Sequence, residues 1–106
     1  MAKEEVIYLA GPYTNSSIWQ QHENIKHAVD IIHKLLCESY SVVCPIITYG
    51  YFDHVFDLPY QVYLKADLKA LKRCDAIYML RGYRNSYGAR CELRLARWLH
   101  LKVIYE

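Results

Sequence analysis

The sequence has no C-x-x-C pair, no apolar run long enough to span a membrane, no large excess of either charge and no internal repeat. Each absence removes a class of function. The four cysteines (Cys37, Cys44, Cys74 and Cys91) and the five histidines show no ligand spacing, so no metal site is expected. Three of the cysteines lie in or beside apolar runs and read as reduced, buried small hydrophobes of a cytoplasmic protein. His27 and His33 fall toward the polar side of a helical stretch and are expected to be exposed. The apolar run at 6–10 is far too short to cross a bilayer, and no signal peptide is visible. A formal charge of +2 gives no electrostatic case for a polymeric nucleic acid or an acidic membrane surface. The eleven tyrosines are scattered, with no basic stripe beside them to make a base-stacking platform.

What is present is an alternation of short apolar runs and amphipathic helices across 106 residues, enough for one domain spanning 1–106. Val6-Ile7-Tyr8-Leu9-Ala10 reads as a buried first strand, ended by Gly11-Pro12. Residues 16–23 read as a polar loop or frayed turn. From Asn24 a helix follows, with Ile25, Ala28, Val29, Ile32, Leu35 and Leu36 as its apolar face. Ser41-Val42-Val43-Cys44-Pro45 reads as the second strand, which Pro45 ends. Residues 46–58 are aromatic, with no clear period. A loop of that length is expected to bind a base or sugar, or to pack on a second subunit. A helix at 59–73 carries Tyr60, Tyr63, Leu64, Leu68 and Leu71 on its apolar face, and Asp67 points the same way. Ala76-Ile77-Tyr78-Met79-Leu80 is the third strand, 81–85 a polar loop, 87–99 a third helix and 102–105 the last strand. The order β-α-β-α-β-α-β implies a small three-layer α/β fold, flavodoxin- or Rossmann-like, with about four parallel strands in the order 2-1-3-4.

Glu92 is the most informative residue. At about 100° per residue, Ala89, Leu93, Ala96 and Leu99 share one face of the third helix, and Glu92 lies within it. A carboxylate on an apolar face is costly unless it is paired or used. Asp67 repeats the pattern on the preceding helix, and two inward carboxylates suggest a shared site. Ser86 suits the N-cap of the third helix, and Gly88 allows a close approach. The loop Gly11-Pro12-Tyr13 leaves the carboxyl end of the first strand, where α/β sheets bind ligands, although Gly-Pro also punctuates plain turns. Arg81 and Arg84 can meet a phosphate or simply stand in solvent.

Several stretches together resemble nucleoside 2-deoxyribosyltransferase-like proteins. They are Ile7-Tyr8-Leu9-Ala10-Gly11-Pro12-Tyr13, Asn24 with its spaced helix, and Val43-Cys44-Pro45. Asp67-Leu68 ahead of Cys74-Asp75-Ala76-Ile77, Ser86-x-Gly88-Ala89-x-x-Glu92, Ala96 and Val103-Ile104-Tyr105 complete the set. The chain is similar in particular to small phage and bacterial members of the related DUF4406 group, over nearly its whole length. The resemblance implies cleavage of an N-glycosidic bond in a (deoxy)nucleoside or its 5′-monophosphate, without a cofactor. Glu92 matches the family nucleophile, Asp67 a carboxylate beside the reacting base and sugar, and Tyr8 a tyrosine near the nucleophile. Ser86 matches a phosphate-contacting position of the nucleotide-cleaving branch, which favours hydrolysis over base transfer. The substrate-binding set expected on these grounds is Gly11, Pro12, Tyr13, Ser86 and Gly88; a homo-oligomer is expected because the aromatic 46–58 stretch exposes much apolar surface for so small a chain.

Two features differ from the family. Pro12 stands where the nucleotide-cleaving branch has Ser or a similar group, so Thr14, Ser16, Ser17 or a loop arginine would have to complete a phosphate pocket. Relatives carry a tail beyond the last strand that completes a neighbouring subunit's site, whereas this sequence ends at Glu106. Either the 46–58 loop takes that place, or the site is open or inactive. An alternative expectation follows: a module that binds a nucleotide or nucleotide-derived signal without cleaving it. Cleavage of NAD-like dinucleotides is a third.

Overall fold

The protein is described from a computed structural model that covers residues 5–13, 17–50 and 58–106. Its centre is β1 (Val6–Ala10), in which Ile7, Tyr8 and Leu9 are wholly buried. Strands of parallel sheets covered on both faces are apolar throughout, as β1 and β3 (Ala76–Met79) are. The sheet runs β2-β1-β3-β4, with β2 at Ser41–Val43 and β4 at Lys102–Tyr105, all pairs parallel. The expected order 2-1-3-4 is therefore found. Asp75 fixes the start of β1 against β3: its carboxylate accepts from Val6 N–H at 2.8 Å, and its own N–H donates to the Val6 carbonyl at 2.9 Å.

Alternation along the strands divides the core in two. Ile7, Leu9, Ala76 and Tyr78 face α1 (Ile18–Cys37), meeting Ala28 and Leu35. Tyr8, Ala10, Ile77 and Met79 face the other side. They meet Leu71 of α3 (Tyr60–Leu71) and Ala89, Leu93 and Ala96 of α4 (Tyr87–Trp98). Burying each large apolar side chain contributes about 1.5–3 kcal/mol, and these layers hold most of that burial.

The elements depart from expectation in several places. Helix α1 begins at Ile18, not at Asn24. Ser17 caps it, accepting the Gln20 N–H at 3.3 Å, so hydrogen bonding sets the start where no apolar period announces it. Ile18 and Trp19 on that first turn are more than 70% exposed. Val29 and Leu36, expected on the apolar face, are also exposed. The stripe that packs on the core is Ile25, Ala28, Ile31, Ile32 and Leu35. Residues 45–50 are not loop but a short helix, α2 (Pro45–Gly50). The Cys44 carbonyl accepts from Ile47 and Thr48 N–H there. Pro45 ends the strand and opens this helix, since its fixed φ and missing N–H suit the first helical position. Residues 51–57 lie outside the described residues. With them go Tyr51, Phe52 and Phe56, on which the expectation of self-association rests, and Thr14 and Ser16 also lie outside. A 3₁₀ turn at Tyr83–Asn85 replaces the polar loop before α4. Cys44 and Cys74 are buried, but Cys37 is exposed. His27 is half-buried rather than exposed, with Nε2 at 2.7 Å from the Glu106 carboxylate. Among the described residues no helix is long and apolar enough to cross a membrane, and no group of three His, Cys, Asp or Glu is placed to hold a metal ion.

Candidate active site

Strands β1 and β3 are neighbours, but the helices that follow them cover opposite faces of the sheet. Their carboxyl ends therefore form the topological switch point, where open α/β sheets leave a crevice. A crevice with about 740 Å³ of empty space, part of it open to solvent, lies there. Its floor is Leu9, Ala10 and Gly11, and Tyr13 stands at its rim. Asn24 of α1 holds this loop in place, its side-chain amide donating to the Tyr13 carbonyl at 3.3 Å. Helices α2, α3 and α4 supply the remaining walls.

Glu92 projects into this crevice from the second turn of α4 and is only 6% exposed. The local sequence dictates this placement. Ser86 ends the 3₁₀ turn, and its Oγ accepts the Ala89 N–H at 3.2 Å. The cap fixes the helix phase, so that Ala89, Leu93 and Ala96 pack on the sheet and carry Glu92 inward with them. The phenol of Tyr8, itself fully buried on β1, donates a hydrogen bond to the Glu92 carboxylate. Burial pushes the Glu92 carboxyl up to about 8; the bond from Tyr8 works against this, and the charge of Asp67 adds to it. Burial, and then the negative charges of Glu92 and Asp67, push the Tyr8 hydroxyl well above its ordinary range, so it remains a donor. Asp67 reaches the same crevice from α3. Desolvation raises its carboxyl to about 7, and its Oδ1 is buried with no hydrogen-bond partner among the described residues. Two carboxyls thus hold protons into the neutral range, one already engaged by a phenol and one with an oxygen left for a ligand.

Glu92, Asp67, Gly11, Tyr13, Ser86 and Gly88 all line the crevice, and Tyr8 lies beneath Glu92. Pro12 does not line it; it borders a separate shallow depression with Asn24, Arg81 and Asn85. Gly11 is demanded by packing. A Cβ there would stand 2.6 Å from the Leu80 Cβ, because β1 and β3 run so close at this end. Arg84 stands over the Tyr83 ring at 5.6 Å, and neither it nor Arg81 lines the crevice. The aromatic 46–58 stretch is expected at a base or sugar, and its Tyr49 does line the crevice; the part that sequence reasoning missed is Tyr60 and Tyr63. Tyr49 of α2 meets Tyr63 of α3 edge-on at 5.8 Å between ring centres, and Tyr60 stands beside them. The helical period puts Tyr60 and Tyr63 on the apolar face of α3, yet Tyr60 is half exposed. The signal was available in the spacing of Tyr60, Tyr63 and Asp67, which sets two hydroxyls on the carboxylate's side of one helix.

A buried carboxyl held by a phenol, a second carboxyl and an aromatic wall line one crevice, an arrangement with the groups to take a planar, partly apolar ligand beside a carboxyl. No curated protein matches the sequence. The profile of the family described as a domain of unknown function, DUF4406, matches residues 5–105. With nearly the whole sequence matched, the chain belongs to the DUF4406 family.

Proposed function

We propose that the protein cleaves the N-glycosidic bond of a nucleoside or nucleoside 5′-monophosphate, with Glu92 as nucleophile. The observation that carries this reading is the burial of Glu92 in the crevice wall, hydrogen-bonded by Tyr8 and sharing the crevice with Asp67. The resemblance to nucleoside 2-deoxyribosyltransferase-like proteins supports it from the sequence side.

In the first step the ionised Glu92 attacks the anomeric carbon through an oxocarbenium-like transition state. The C–N bond to the base breaks, and an ester forms between sugar and Glu92. The base leaves with the bonding pair and must be protonated. Asp67 shares the crevice and has an oxygen with no hydrogen-bond partner among the described residues; in this reading it takes the proton that Glu92 gives up on ionising and passes it to the base. Tyr8 keeps the nucleophile oriented by donating to the oxygen that does not attack. Water then opens the ester and returns the enzyme, with Asp67 as base. A second nucleobase in place of water would give transfer, and hydrolysis is the favoured outcome. The tyrosine wall supplies the face on which a base can stack.

The test is release of free base, followed by chromatography, from deoxynucleosides, ribonucleosides and their 5′-monophosphates. Wild type should release base from at least one of these, and Glu92→Ala from none. Absence of release from all of them, with a nucleoside still raising the melting temperature, would make the crevice a binding pocket and overturn the catalytic reading.

A further inference from the structure

We infer that the crevice accepts an uncharged nucleoside and discriminates against its 5′-monophosphate, with Tyr60 setting that preference; this rests on the glycosidase reading above. The walls contain two carboxyls and no lysine, arginine or histidine among the described residues. The arginines nearest in sequence to the start of α4 are engaged elsewhere. Arg84 stands over the Tyr83 ring, and the Arg90 guanidinium donates to the Arg84 carbonyl at 3.2 Å. A phosphate dianion would therefore meet no counter-charge on the described walls and would face the negative charge that Glu92 takes on when it ionises.

The chemistry reinforces the electrostatics. Glu92 must ionise to attack, and its burial already opposes ionisation. A dianion in the same crevice would oppose it further, lowering the fraction of enzyme able to react. Among the described residues the part of the wall that favours an anion is the start of α4, where the N–H groups of Tyr87 and Gly88 have no intrahelical acceptor and the Ser86 hydroxyl already accepts the Ala89 N–H. Tyr60 stands over that turn. Its hydroxyl lies only 2.7 Å from where a Cβ on Gly88 would be, so the absence of a side chain at Gly88 is what lets it sit there. Half exposed at the rim, Tyr60 places a neutral phenol at the position where a phosphate would need to approach the helix.

The experiment compares each deoxynucleoside with its 5′-monophosphate on wild type, Tyr60→Phe, Tyr60→Ala and Tyr60→Lys. Both kcat/KM for base release and Kd by calorimetry are read. Wild type should prefer the nucleoside by about 100-fold. Tyr60→Ala should narrow the ratio roughly tenfold, and Tyr60→Lys should narrow it further by supplying a cation. Tyr60→Phe, which keeps the ring, should stay near wild type. A merely structural role would change both ligands alike and leave the ratio fixed. Equal or better use of the monophosphate by wild type, or a ratio unmoved in Tyr60→Ala and Tyr60→Lys, would overturn the inference while leaving the glycosidase reading intact. Selective binding of the nucleoside without base release would sink the glycosidase reading and support the selectivity. Binding of neither ligand would overturn both.

Discussion

Replacing Glu92 by Gln should make the protein more stable at pH 9 by about 2–4 kcal/mol, raise its melting temperature there by roughly 10 °C or more, and abolish base release. The sign follows from the direction of the shift. The Glu92 carboxyl moves from an ordinary value of 4.5 to about 8 in the folded protein. Between those values the folded chain holds a proton that the unfolded chain has lost. The stability linked to this group is fully present below about pH 4.5 and is lost as the pH rises through 8. At about 1.4 kcal/mol per unit, the ionised form carries a penalty on the order of 5 kcal/mol, part of which neighbouring groups relax. Gln has no charge to bury and still accepts the bond from Tyr8. Asp67 adds a loss of the same sign as its carboxyl ionises near 7, smaller because it is less buried than Glu92. Thermal melts at pH 5 and pH 9 check the expectation: the two proteins should differ by less than about 1 kcal/mol at pH 5 and diverge at pH 9. A difference independent of pH would mean that Glu92 is not held protonated by burial. Loss of activity with gain of stability is the trade-off expected where a site keeps a charge that the fold would rather exclude.

The second large effect is expected at Gly11. The Cβ of Gly11→Ala would lie 2.6 Å from the Leu80 Cβ, 2.8 Å from its Cδ1 and 3.1 Å from its Cγ. Leu80 cannot rotate out of the way, since its Cβ is fixed by a backbone whose N–H donates to the Ala10 carbonyl at 2.8 Å. The carboxyl ends of β1 and β3 would have to part, at a cost of about 1–3 kcal/mol, lowering the melting temperature by roughly 5–15 °C. Because Leu9, Ala10 and Gly11 form the crevice floor, ligand binding should weaken with it. Gly88→Ala is the informative control. There the added Cβ meets only the Tyr60 hydroxyl, the far end of a half-exposed side chain, and alanine favours the helix. Melting curves of the two variants should move in opposite directions or differ by at least 5 °C. Equal losses would remove the case for a special constraint at Gly11.

The contrast between these two glycines shows what a single sequence discloses. Gly11 ends an apolar run and was legible as the close of a strand, but its clash with Leu80 depends on a strand pair that only the fold brings together. Strands β1 and β3 were legible because strands buried on both faces are apolar throughout. Glu92 and Asp67 were legible because they interrupt a 3.6-residue period, and Ser86 because a cap residue precedes the period it caps. The first turn of α1 was not, since its exposed Ile18 and Trp19 give no inward stripe. Nor was α2, since Pro45 serves equally to end a strand and to begin a helix. The α3 half of the aromatic wall escaped for a related reason: Tyr60 and Tyr63 fit an apolar helix face, and only the position of α2 sets Tyr63 against Tyr49. The bond from Tyr8 to Glu92 joins residues 84 positions apart. No local period reports it, although the family resemblance placed a tyrosine near the nucleophile.

The most direct test of the central claim is the mass of the protein during turnover of a substrate from which it releases base, with the adduct mapped by peptide digestion. The account predicts a gain equal to the substrate's own sugar unit (pentosyl or deoxypentosyl, with its 5-phosphate if the substrate carries one) on the peptide carrying Glu92, absent from Glu92→Gln and lost as hydrolysis completes. Base release at the wild-type rate by Glu92→Gln, or an adduct on any other residue, would contradict it.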